Sequence, residues 1–128
     1  MSCSDCPDVF ELCVNEGAQK DYIATLLDKA GAAIPLASLT DIKLTLKDAA
    51  TGVIVNSRDA QSQKNAGNGT YHATTGLFTM SFQPADASIV NASSISEKKV
   101  ATFLATWSGG GQHQWDVIVK VKNLGKTN

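Results

Sequence analysis

Residues 42–47 read Ile-Lys-Leu-Thr-Leu-Lys, and this alternation of apolar and polar side chains recurs along the chain. A period of two marks an extended strand with one face buried, whereas a helix needs apolar residues three and four apart. Phe78, Met80 and Phe82 share one face of a strand over 77–82. Over 99–108, Ala101, Phe103, Ala105 and Trp107 alternate with Val100, Thr102, Leu104 and Thr106. Over 112–122, Trp115, Val117, Val119 and Val121 stand opposite Gln114, Asp116, Ile118, Lys120 and Lys122. Helical period is weak everywhere except near Pro84. The apolar faces of these strands must therefore be covered by another sheet.

Turn signals punctuate the strands. Residues 8–14 place Phe10, Leu12 and Val14 on one side and Val9, Glu11 and Cys13 on the other. In 18–28, Tyr22, Ala24 and Leu26 alternate with Ile23, Thr25 and Leu27; strand is the first reading and helix the second. Asp28-Lys29-Ala30-Gly31 turns the chain, and Pro35 keeps Ile34 extended. Residues 49–52 lead into 53–56 as the hairpin partner of 42–48. The polar stretch 57–70 reads as a long, mobile surface loop, and 91–98 as a second polar loop. Pro84 suits one helical turn, and Gly109 to Gly111 a hairpin connection. About seven short strands with turns between them point to an all-β, antiparallel β-sandwich. The 128 residues suit one domain. We expect an N-terminal arm over 1–16, the sandwich over 17–124 and a tail over 125–128.

Composition narrows the function. A net charge of −1 leaves no basic excess to neutralise phosphates, which argues against a nucleic-acid partner. The longest apolar runs are far too short to span a bilayer, so no membrane partner is expected. The first residues lack the basic and apolar regions of a secretory signal, although an exported mature chain can also begin this way. Three cysteines, Cys3, Cys6 and Cys13, are an odd number for a closed disulfide framework and suit a reducing cytoplasm.

Chemistry-bearing patterns are sparse. Cys3-x-x-Cys6 with Cys13 supplies three thiols where zinc takes four ligands, and neither His72 nor His113 lies at finger spacing. Free thiols are the simpler reading, with a bond between chains of an oligomer as a minor one. A Cys-His dyad lacks an orienting third group, so we expect no enzyme and no cofactor. Gly109 to Gly111 lack the Lys-Ser/Thr of a phosphate loop. The aspartates are scattered at turns and strand ends, with no calcium-loop clustering. Trp107 and Trp115 flank the glycine hairpin; a core pair is the first reading and an exposed binding platform the second.

The order V-N-E-G-A-Q-K-D-Y-I-A-T-L-L-D-K-A-G-A-A-I-P-L over 14–36 is followed by D-I-K-L-T-L-K-D over 41–48. After these come G-L-F-T-M-S-F, P-A-D-A and a closing tryptophan-bearing hairpin. Across about residues 14 to 122 this resembles the N-terminal domain of baseplate upper proteins and related fibre-anchoring modules of tailed bacteriophages. The resemblance implies an immunoglobulin-like sandwich without catalytic residues, working as an assembly joint in the tail, neck or capsid surface. It implies assembly in the host cytoplasm, virion proteins as partners, and a homo-oligomer or many copies. A capsid decoration protein is the nearest rival; an immunoglobulin-like module binding a carbohydrate or host surface is another. This chain departs from the family in stopping at Asn128 and in its cysteine-bearing arm. Arms and loops are where such contacts form. The expected interaction residues are Cys3, Cys6, Val9, Phe10 and Leu12 in the arm, Arg58 and Asn68 in the polar loop, and Trp107 and Trp115.

Overall fold

The computed structural model describes residues 9–15, 17–89 and 96–123, with 9–11 in backbone only. The described residues form β1 (Val9–Asn15), β2 (Lys20–Thr25), β3 (Leu39–Asp48), β4 (Gln61–Ser62), β5 (Gly69–Tyr71), β6 (Leu77–Phe82), β7 (Ser96–Trp107) and β8 (Gly111–Lys122). A single 3-10 turn, Pro84–Ala87, stands where Pro84 predicts it. One sheet runs β1-β8-β7-β3-β4 and the other β2-β6-β5. With β2 to β8 in the roles of strands B, C, C′, D, E, F and G, this is the strand order of an immunoglobulin-like sandwich. The strand count exceeds the expected seven by one: β4 and β5, only two and three residues long, start inside the supposed loop, whereas the expected hairpin strand over 53–56 is reduced to an isolated bridge, Lys47 opposite Ile54. The pairing is not wholly antiparallel: β1 joins β8 in parallel, Val14 opposite Val121.

Alternation sets the two layers. Ile42, Leu44 and Leu46 of β3 are fully buried, as are Ala101, Phe103 and Ala105 of β7 and Val117 and Val121 of β8. From the facing sheet, Phe78, Met80 and Phe82 of β6 and Tyr22 of β2 meet them. Phe103 is the hub. Its ring stacks on Tyr22 at 5.6 Å and on Trp115 at 5.3 Å, and meets Phe78 edge-on at 5.6 Å. The Trp115 indole N–H donates to the Tyr22 hydroxyl at 2.8 Å, so both buried polar atoms are satisfied. Burial raises the Tyr22 phenol above its ordinary pKa, against the opposing pull of that bond. In antibody domains a disulfide joins strands B and F; here the stack of Tyr22 on Phe103 joins the corresponding β2 and β7.

A buried cation shares the core. Lys99, fully buried on β7, lies opposite Asp48 of β3 and donates to Asp48 Oδ1 and Glu97 Oε1, both at 2.9 Å. An isolated ammonium there would be very costly, so the two carboxylates are required. Asp48 Oδ2 also accepts from the Thr51 N–H and hydroxyl, holding the turn into residues 52–54. Burial alone would raise the Asp48 carboxyl, but the Lys99 and Thr51 donors outweigh it and hold it below its ordinary value.

Two outcomes follow. Phe103→Ala should destabilise the fold by about 3–5 kcal/mol, read as a lower urea midpoint, because it removes the hub of three ring contacts. The depressed Asp48 pKa contributes stability that is complete above the unfolded value of about 3.9 and lost as pH falls through the folded value. Wild-type stability should therefore decline on acidification below about pH 4, and Asp48→Asn should cost about 3–5 kcal/mol at neutral pH and flatten that decline. An acid titration of the unfolding free energy checks both points; an unchanged acid slope in Asp48→Asn would assign the decline elsewhere.

Candidate interaction surface

The residues expected to make contacts divide sharply. Arg58 is not a surface residue: it is 2% exposed, and its guanidinium grips Asp86 of the 3-10 turn through Nε at 2.5 Å and Nη2 at 2.9 Å. The remaining donors reach the Gly67 carbonyl and the side-chain oxygens of Gln61 and Asn68. Asp86 accepts further bonds from Asn56 Nδ2 and the Gln83 N–H. This fork-on-carboxylate geometry suits arginine in particular. The expectation of a mobile loop over 57–70 is therefore corrected. The segment is a hydrogen-bonded connection wrapped around Arg58, with Gln63 fully buried and β4 and the start of β5 inside it. Asn68 is exposed as a residue, but its side-chain oxygen is occupied by Arg58.

The tryptophans have different fates. Trp115 is 4% exposed, inside the ring stack and under the His113 ring at 5.4 Å, so it offers no binding platform. Trp107 is half-buried at the end of β7, its ring lying against Gly111. A Cβ on Gly111 would fall 2.0 Å from the Trp107 indole nitrogen, so the glycine is what admits the ring. Gly109 and Gly110, at φ of 86° and 80°, close the hairpin as the sequence implies.

Cys3 and Cys6 lie outside the described residues. Val9 and Phe10 stand on β1 opposite Asp116 and Val117 of β8. Leu12 packs against the core and Cys13 is an exposed free thiol. Residues 9–15 of the expected arm are thus a strand of the larger sheet. His72 accepts from the backbone of Thr74 and Thr75 through Nδ1. Among the described residues, no three His, Cys, Asp or Glu side chains gather to hold a metal ion.

Strand edges and a few large apolar side chains face outward among the polar ones. β1 and β2 each end a sheet. A cleft of about 510 Å³ runs between the end of β1 and the start of β2, lined by Cys13, Asn15, Lys20, Lys120 and Lys122 among others. Further along β2, a cleft of about 370 Å³ lies between Thr25–Lys29 and the Trp107–His113 hairpin. Ile23 and Leu27 are 59% and 52% exposed, and Leu77 beside them 40%. The sequence shows the alternation of Ile23, Thr25 and Leu27 with Tyr22, Ala24 and Leu26. It does not show that the first set meets solvent, because both sets are largely apolar.

No family model matches the chain, and no curated protein matches it. Among solved structures it is similar to the first Ig-like domain from human CD48 antigen, at 14% identity and a TM-score of 0.35, covering 94% of this chain and 87% of that one. So loose a likeness carries no argument; the fold class rests on the strand order.

Arg58→Ala and Asp86→Ala should each cost about 3–5 kcal/mol, and the double variant should cost less than their sum, since each single change leaves a buried charge alone. Urea unfolding of the four proteins measures this. An Arg58→Ala chain with an unchanged midpoint would return Arg58 to the surface.

Proposed function

We propose that this chain is a non-enzymatic structural component of a tailed-phage virion, an assembly joint in the tail, neck or capsid surface that connects or anchors other virion proteins such as fibres. One observation supports the reading. The buried ionisable side chains Arg58, Asp86, Lys99 and Asp48 are engaged with one another or with neighbours inside the fold, while open strand edges and apolar side chains face outward. Such a surface binds by shape and main-chain hydrogen bonds rather than by reacting. The resemblance over residues 14–122 supplies the virion, the host-cytoplasm assembly and the many copies. A carbohydrate platform built on the tryptophans loses one of its two rings with Trp115 buried.

The chain should be found by mass spectrometry in purified particles at a fixed, multiple copy number, and its absence from them would sink the proposal. Deleting residues 2–8 leaves β1 whole, so the truncated chain should fold; we expect it to enter particles poorly. Normal incorporation of the truncated chain would remove the arm from the contact.

A further inference from the structure

The solvent-facing positions of β2 and the turn after it read Asp21, Ile23, Thr25, Leu27 and Lys29, all exposed. Run antiparallel to itself about Thr25, this row places Ile23 opposite Leu27 and Thr25 opposite Thr25, and brings Asp21 beside the turn that carries Lys29. Branched aliphatic meets branched aliphatic, threonine meets threonine, and acid comes near base. Directly opposed residues of an antiparallel pair share a face and sit closest, so these are the pairs that would interact.

The backbone is turned the right way. The Leu26 N–H donates to Gly76 and its carbonyl accepts from Ile34, while the Asp28 N–H donates to Ala32. Leu26 and Asp28 thus spend their main-chain groups inward, toward β6 and the segment beside it. Alternation along an extended chain then aims those of Asp21, Ile23, Thr25 and Leu27 at the open edge. No other strand pairs with that edge among the described residues. The edge lacks several of the usual guards: β2 has no proline, its register with β6 is unbroken from Lys20 to Thr25, its charges Lys20 and Asp21 stand only at its start, and Ile23 and, just beyond the strand, Leu27 are large and exposed. Leu77 of β6 stands beside Thr25 and extends the apolar patch inward.

We propose that β2 is a self-pairing edge: two copies of this chain join β2 to β2 antiparallel, centred on Thr25, making one continuous sheet β5-β6-β2-β2-β6-β5 across a two-fold axis. The occupant is a second copy because the row complements itself in charge and in shape, which a two-fold contact requires. The inference stands apart from the virion reading, since the edge pairs in the same way whatever the chain belongs to. The contact is narrow, which puts it in the weak, transient class.

Sedimentation of the full chain tests it, at low salt and with a reductant to keep the thiols from cross-linking copies. The wild type should show a concentration-dependent dimer, and Ile23→Lys should weaken it at least about tenfold by placing two cations against the apolar pairs. The far-UV spectrum should not change, because Ile23 points to solvent. Asp21→Lys should weaken the dimer about fivefold to thirtyfold by setting lysine near lysine twice, and Asp21→Lys with Lys29→Asp should restore it. A wild type that is monomeric at about 1 mM overturns the proposal, whatever else covers the edge. So does a dimer indifferent to Ile23→Lys, or a double variant no tighter than Asp21→Lys alone.

Discussion

Stacked rings join the two sheets of this sandwich at the place where antibody domains use a disulfide. Tyr22 of β2 lies on Phe103 of β7, Phe103 on Trp115 of β8, and the indole N–H of Trp115 returns to the Tyr22 hydroxyl. The loop closes through three strands and both layers, so none of its members can shift alone. A disulfide restrains the unfolded chain; this cluster acts only on the folded one, through buried area and ring geometry. Its polar atoms satisfy each other, which lets large aromatic groups fill the centre without an orphaned donor. Among the described residues, rings do between the sheets what a disulfide does in antibody domains.

The two buried ion clusters act at the periphery of that stack. Lys99 with Asp48 and Glu97 ties β7 to the turn after β3. Arg58 with Asp86 ties the β3–β5 connection to the 3-10 turn. Buried ion pairs are a weak source of net stability, since desolvation consumes most of their attraction. Their physical effect is specificity: any other path for these connections would leave an unpaired charge in the core. These buried charges are held in bonds that fix loops.

What was legible in the sequence follows from what is local. Ile42, Leu44 and Leu46, or Phe78, Met80 and Phe82, announce their face because the alternation is with polar neighbours. The Pro84 turn and the glycine hairpin are written in residue types with fixed conformational demands. Arg58 was illegible because its neighbourhood is polar throughout and is ordered by side chains meeting across 28 residues. That connection also bends at Asn56, Ser57, Ala60, Asn65 and Asn68, which take positive φ without being glycine. Trp115 and Trp107 could not be told apart, because both sit on the inward phase of their strands and only distance from the core centre separates them. The parallel β1–β8 pair joins the two ends of the chain, which no local pattern encodes.

An edge strand is the position that neighbours decide, so β2 could be read as a strand but not as an open one. Its openness has a geometric consequence. A self-complementary edge closes on one partner and is then spent, because a two-fold contact uses the same patch on both copies. Such pairing gives dimers and stops; it cannot by itself build a ring or a filament. An assembly of many copies would need a second, non-identical contact, and the fold offers one in β1, whose outer edge ends the other sheet across the cleft from β2. The two edges belong to different layers, so each presents its own row of main-chain groups. A domain with one edge that pairs with itself and a second edge in the other layer carries two distinct surfaces to which strands can be added.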